Sequence, residues 1–376
     1  MDFNLTEEQL MIQRMAKDFA DQEIEPIAVE IDQNGRLPDD MIGKMGKVGL
    51  LGMTVPQKYG GTEAGVLASI LALEQVAYPG TGAWWLVGFH SSIPGCIAHF
   101  GSEEIKQKYL PPLCDGSAYA SIQFTEPDTG SDPRMLVTTA TPDGDEYVIN
   151  GVKRFSTFGA RDGYATFYAK DDEGRCTCFV IQKNVEGYKA EKIWELMGGG
   201  GMEAADVYLE DMRVPKENIL SEKGNGFNVL LHWIASEKLE QCGVNTGISQ
   251  AALDESVNYV KERMANRDRL MAALQGIQWT LADIQVKIEA MRWLSYRTAF
   301  LEDHQDPDWI RQAAITKLFV IPASLDVVRA AVELHGGYGY SKEFKVERLY
   351  RAAIGSSVIA TNLAINKSIV GASLVR

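Results

Sequence analysis

Apolar residues follow three regimes along the chain. After Thr6-Glu7-Glu8-Gln9, which fits a capping box, Ile12, Met15, Ala16 and Phe19 fall on one face at helical spacing. Helical stretches continue to about Leu110, punctuated by Pro56, Gly60-Gly61 and Pro79-Gly80, with Ser102-Glu103-Glu104-Ile105 opening another helix. From about Ala118 to Gly224 the pattern becomes short β-type runs: Tyr147 to Ile149 after the turn signal Pro142-Asp143-Gly144, then Ala165 to Tyr168, Cys178 to Ile181 and Val207 to Leu209. Beyond Phe227 the helical period returns over Ala251 to Arg263, Trp279 to Ala299, Ile310 to His335 with a kink at Pro322, and Val358 to about Val370. Strands segregated from helices predict an α+β protein and argue against a doubly wound nucleotide fold. The predicted units are an N-terminal helical domain (1–117), a middle antiparallel β domain (118–224) and a C-terminal helical domain (225–376).

The composition is that of a globular protein of several domains, with 45% hydrophobic and 23% charged residues in 376. Fifty-one acidic against thirty-seven basic residues give a net charge of −14, which argues against nucleic acid and anionic membranes as partners. Any anionic ligand must then be held by local donors. Five cysteines (Cys96, Cys114, Cys176, Cys178, Cys242) without a CxxC pair indicate neither a disulfide framework nor a zinc site. The start, Met1 to Thr6, has no basic segment leading into an apolar run, and no apolar stretch approaches a membrane span, so the expectation is a soluble cytoplasmic protein.

Local chemistry is suggestive at several places and decisive at none. Asp128 and Asp132 flank Thr129-Gly130-Ser131 in a polar turn able to bind a flavin or phosphate edge, although such residues dominate ordinary surface turns. His335-Gly336-Gly337-Tyr338-Gly339-Tyr340 suits close backbone approach to a ligand and equally a helix C-cap. Met197 and the four glycines Gly198 to Gly201 read as a flexible loop over a site or in solvent. The histidines (His90, His99, His232, His304, His335) show no ligand spacing, so no metal is expected. Glu237 and Glu240, one turn apart after Trp233-Ile234-Ala235, are either a solvated helix face or a general base in an apolar pocket.

Taken together and in order, these segments resemble the FAD-dependent acyl-CoA dehydrogenase family. Phe124 to Asp132 is similar to its TEPxAGSD motif, Gly151 to Thr157 to GxKxWIT, Glu210 to Pro215 to EDVRVP, and Gly336 to Tyr340 to GGxGY. The resemblance implies a helical domain, a β domain and a four-helix bundle, assembled as a homo-oligomer, usually a tetramer. It implies FAD lined by Phe124, Thr125, Phe155 and Thr157, with Ser131 near the pyrophosphate and the acyl-CoA. Arg263, Gln275, Gly336 and Gly337 would serve the FAD of a neighbouring subunit. The implied reaction is α,β-dehydrogenation of an acyl thioester, or its reversal as enoyl reduction: a carboxylate takes the α-proton and the β-hydrogen leaves as hydride to the flavin. An electron-transfer flavoprotein is the implied electron partner, and the acyl carrier is coenzyme A or an acyl carrier protein.

The family's common tail base falls here on Ala360 of Ile359-Ala360-Thr361-Asn362. Some members place the glutamate on an earlier helix, and ten residues after Phe227 that position is Glu237, followed by Lys238 where arginine is frequent; Glu240 is the alternative. The RxxFG segment is replaced by Arg263 to Arg269 with one extra residue before Gln275, so Arg267 or Arg269 could replace a lost FAD contact, and Glu333 stands where glutamine is common. Two other readings compete: a catalytically silent subunit of a heteromeric complex, and a non-redox acyl-CoA lyase on the same scaffold.

Overall fold

The computed structural model describes residues 4–375; Met1, Asp2 and Phe3, on which the reading of the N-terminus partly rests, lie outside them. The N-terminal unit holds helices α1 (Glu7–Phe19), α2 (Ala28–Asn34), α3 (Met41–Lys47), α4 (Val66–Ala77), α5 (Trp84–Phe100) and α6 (Glu103–Cys114). The capping box forms: Thr6 Oγ1 accepts from the Gln9 amide at 3.2 Å and the Gln9 side chain accepts from the Thr6 amide at 3.0 Å. Ile12, Ala16 and Phe19 are buried and Met15 is half-buried, as the spacing predicts. Ser102 caps α6 by accepting from the Ile105 amide.

The middle unit is a seven-stranded sheet of β1 (Tyr119–Gln123), β2 (Thr139–Asp143), β3 (Glu146–Thr157), β4 (Gly163–Lys170), β5 (Cys176–Gln182), β6 (Tyr188–Ile193) and β7 (Ala204–Pro215), ordered β1-β4-β2-β3-β7-β6 with β5 on β4. The antiparallel expectation holds for β2–β3, β3–β7, β4–β5 and β6–β7. It fails at β4, which runs parallel to β1 and touches β2 in parallel at Thr139 and Lys170. A parallel pair needs a long crossover, and the chain between β1 and β4 supplies it by carrying the β2–β3 hairpin. That hairpin turns at Gly144, whose φ of 59° suits glycine.

The C-terminal bundle comprises α7 (Gly226–Glu262), a small hairpin β8 (Met264–Asn266) and β9 (Arg269–Leu270), then α8 (Gln275–Asp303), α9 (Trp309–His335), α10 (Lys345–Gly355) and α11 (Leu363–Leu374). Helix α7 begins well before Ala251, the first residue at which periodicity marks it. Every residue from Glu237 to Ser249 is buried, so this stretch has no polar face for a periodic pattern to reveal. The last helix starts at Leu363, not Val358, because Asn362 caps it by accepting from the Ile365 amide at 3.0 Å. Residues 358–362 form an irregular connection in which Ala360 has φ 63°.

The glycine run is not a free loop. A Cβ on Gly198 would stand 2.4 Å from the Arg351 carbonyl oxygen, and one on Gly200 would stand 2.7 Å from that of Ile31. Gly200 O accepts from the Gly82 amide at 2.7 Å, while Arg351 bridges Asp32, Glu347 and the Met197 carbonyl. The glycines let the middle domain pack against both helical units.

Candidate functional site

Helix α7 carries Glu237 into the centre of the molecule, where it is 1% exposed. Its Oε1 accepts from Gln241 Nε2 at 3.0 Å and its Oε2 has no partner. Burial pushes the carboxyl up to about 7, against the opposing pull of Lys317, Gln241 and Lys238. Gln241 accepts in turn from Ser356 Oγ, which also accepts from Asn245 Nδ2 at 2.7 Å. From α9 the buried Lys317 donates to Ile359 O at 2.5 Å. The next residue, Ala360, presents an amide that donates to no group among the described residues. A buried carboxylate, a buried ammonium and an unpaired N–H therefore converge where α7, α9 and the α10–α11 connection meet.

Glu240 is also buried, so the pair is not a solvated face. It points elsewhere: a Cβ on Gly88 of α5 would lie 3.1 Å from its Oε2, and it lines a cleft of about 540 Å³ with Ser92, Ser236 and Glu302. Burial, reinforced by Glu237, holds its carboxyl well above the usual range.

The second group is built on the sheet. The Arg154 amide donates to Thr125 O at 2.8 Å, and Ser121 Oγ donates to Thr157 O at 2.7 Å, which brings Phe124, Thr125, Phe155 and Thr157 together. A bulge between Lys153 and Ser156 turns Phe155 to φ 54° and leaves the residue 45% exposed, its ring centroid 4.9 Å from that of Trp194. Phe124 lies 6.1 Å from Trp233, which stands one turn before Glu237 on α7. The polar turn is anchored inward, because Glu126 accepts from the Val137 amide at 2.6 Å, the Thr138 amide at 3.0 Å and Lys153 Nζ at 2.7 Å. Ser131 stays exposed, and Asp132 binds Arg134. An exposed aromatic face, two threonines and the partnerless buried Ser156 Oγ fit a flavin ring with a polar edge.

Arg263, Gln275, Gly336 and Gly337 are all exposed on the bundle. The Arg263 guanidinium lies 5.4 Å from the Tyr338 ring centroid, and Gly336 ends α9 at φ 59°. The altered segment after Arg263 is the β8–β9 hairpin; its Arg269 donates to Ala273 O, Arg267 is exposed, and Glu333 lies 4.0 Å from Arg329. Among the histidines, His90 is buried on backbone groups of Leu86, Ala118 and Ala120, and burial lowers it to about 4. No group of three His, Cys, Asp or Glu able to hold a metal occurs among the described residues.

Three family profiles match in chain order: the acyl-CoA dehydrogenase N-terminal domain over residues 6–117, the middle domain over 121–212 and the C-terminal domain over 224–375. The chain belongs to the acyl-CoA dehydrogenase family. It is 34% identical to the short-chain specific acyl-CoA dehydrogenase of Clostridium acetobutylicum, with 100% of both chains covered. It is 33% identical to the acryloyl-CoA reductase (NADH) of Anaerotignum propionicum, covering 100% of this chain and 96% of that one. In three dimensions it matches, at a TM-score of 0.96 and 34% identity over 100% of both chains, a chain in the solved structure of the electron transferring flavoprotein of Acidaminococcus fermentans.

This acyl-CoA dehydrogenase is an FAD-dependent oxidoreductase acting on the CH–CH bond of an acyl-CoA thioester, by dehydrogenation or by the reverse enoyl-CoA reduction. The silent-subunit and lyase readings are not favoured, since both named relatives are redox enzymes. Trp233, Gln241, Lys317 and Ser356 were not singled out by sequence. Gln241 could have been, standing four residues after Glu237 on one helix; Lys317 sits in an ordinary helical pattern and gives no local signal.

Proposed function

We propose that Glu237 is the base of this acyl-CoA dehydrogenase and that the Ala360 amide polarises the thioester carbonyl. The observation that carries the reading is the free, buried Glu237 Oε2 beside the connection where the tail carboxylate is replaced by alanine. A carboxyl raised to about 7 is matched to taking a proton near neutral pH, and a hydrogen bond to the thioester oxygen stabilises the charge that develops there. Bound FAD supplies the acceptor for the β-hydrogen. Phe124, Thr125, Phe155 and Thr157 would hold its ring, and Ser131 its pyrophosphate. The test is anaerobic flavin bleaching: E237Q should bind acyl-CoA and fail to bleach, while E240Q should bleach. Bleaching by E237Q at the wild-type rate would reject the assignment.

The assembly we infer is a homo-oligomer, a dimer or tetramer, in which Arg263, Gln275, Gly336 and Gly337 complete the FAD site of a neighbouring copy. Support comes from α8, where the exposed Trp279, Val286, Trp293 and Phe300 recur every seven residues, the spacing of a helix-packing seam. An electron-transfer flavoprotein as partner is supported by the structural likeness to a chain of such an assembly. The free cysteines favour the cytoplasm, and no helix among the described residues is long and apolar enough to cross a membrane. We take the domain boundaries at 117/118 and 224/225. The acyl carrier, coenzyme A or an acyl carrier protein, is settled by comparing turnover of the two thioesters.

A further inference from the structure

We propose that Lys317 is a positioning residue that couples the two halves of the catalytic apparatus, holding the Ala360 amide in place for the thioester carbonyl while placing a buried charge in the surroundings of Glu237. The inference rests on the assignment of Glu237 and the Ala360 amide made above.

Three observations carry it. First, Lys317 is fully buried, and its ammonium donates at 2.5 Å to Ile359 O, the carbonyl one residue before Ala360. Burying an ammonium is costly unless it is paired, so this contact locks the Ile359 peptide in orientation. Second, Ala360 has φ 63°, a left-handed conformation that L-residues other than glycine, asparagine and aspartate rarely adopt. Such a conformation persists only where the surroundings hold it, and the Lys317 bond is a tertiary clamp on its N-terminal side. Third, the amide held this way is unpaired among the described residues, a donor left open for a ligand. A second, weaker clamp follows at the Thr361 amide, which donates to the same Ile359 O at 2.9 Å.

Lys317 also brings its charge into the surroundings of the base. Around Glu237 the charged groups are Lys317 from α9 and Lys238 from its own helix, with the carboxyl of Glu240 one turn on. Lys317 is the strongest influence keeping Glu237 ionisable against burial. One side chain thus acts on the proton acceptor and on the carbonyl donor, which must work together because polarising the carbonyl is what acidifies the α-proton.

The test uses FAD-loaded K317M and K317R with a chromophoric 3-aryl-acryloyl thioester, whose absorbance moves to the red when its carbonyl is polarised. The wild type and K317R should show the red shift, and K317M should lose at least half of it. With a saturated acyl thioester that reduces the flavin, K317M should lose roughly 10- to 100-fold in kcat, less than the about 10²–10³-fold of deleting such a donor outright because the Ala360 amide itself remains, with a smaller change in KM. The acid limb of its kcat/KM profile should move to higher pH, since a neighbour favouring the carboxylate is gone, and K317R should restore it. If methionine is not tolerated at this buried position, K317Q is read in the same way. A wild-type red shift and an unmoved acid limb in the folded variant would overturn the proposal. E237Q separates the two readings: the red shift needs only binding, so it reports on Lys317 and Ala360 even if E237Q bleaches and the base assignment falls.

Discussion

The Glu126 carboxylate and the Lys153 ammonium meet at 2.7 Å with side chains 1% and 0% exposed. Burial alone would raise Glu126, yet Lys153 and the bonds from Thr138 and Val137 hold it below the usual carboxylate range, while burial lowers Lys153 to about 8. The pair ties the turn that carries Ser131 to β3, next to Phe155. Removing one partner strands the other charge in the interior, at a cost of about 3–5 kcal/mol. K153M should therefore lower the melting temperature strongly and release FAD; chemical denaturation and the flavin absorbance of the purified protein check both.

With Glu237 as the proposed base, activity should rise with pH through about 7, because the carboxyl must be ionised to accept a proton and burial raises its pKa to that value. Stability runs the other way. The folded carboxyl holds its proton over the window from the ordinary glutamate pKa near 4.5 up to about 7, where the unfolded chain has lost it, so its contribution to stability falls across that window. The full difference is at most about 3 kcal/mol. E237Q, which cannot ionise, should gain on the wild type in melting temperature between pH 5 and pH 8; a constant gap would contradict the buried carboxyl.

Gly198 allows the middle domain to approach the Arg351 backbone, where a Cβ would stand 2.4 Å from a carbonyl oxygen. G198A should destabilise by about 1–3 kcal/mol through overpacking, readable by urea denaturation. Gly144, with nothing near its Cβ position, has only its φ of 59° against a side chain, so G144A should cost about 1 kcal/mol.

The apolar seam on α8 predicts an assembly defect. Val286 is 69% exposed, and V286E should leave the isolated fold intact while dissociating the oligomer, with loss of FAD retention if neighbouring copies share the cofactor site. Light scattering together with the flavin-to-protein ratio reads both. An unchanged mass would remove α8 from the interface.

Much of the architecture was legible in the chain because its causes are local. Thr6 and Ser102 cap helices by reaching only three residues ahead, and Pro142-Asp143-Gly144 turns a hairpin whose strands are its immediate neighbours. The motif order from Phe124 to Tyr340 likewise points to the family. What sequence could not show is where several distant segments act on one residue. The parallel β1–β4 pairing depends on a crossover, and the glycine run is clamped by Arg351 and Gly82, far away in sequence. Glu237 and Glu240 share one helix turn, yet one bonds Gln241, which reaches Ser356, and feels the Lys317 charge, while the other faces α5. Their burial on every side leaves no polar stripe to read, and their proton affinities are set by desolvation and by charges from other helices. The sequence by itself determined the family and the kind of chemistry; the tertiary structure decided which groups surround each carboxylate, because only packing brings α7, α9 and the α10–α11 connection to one point.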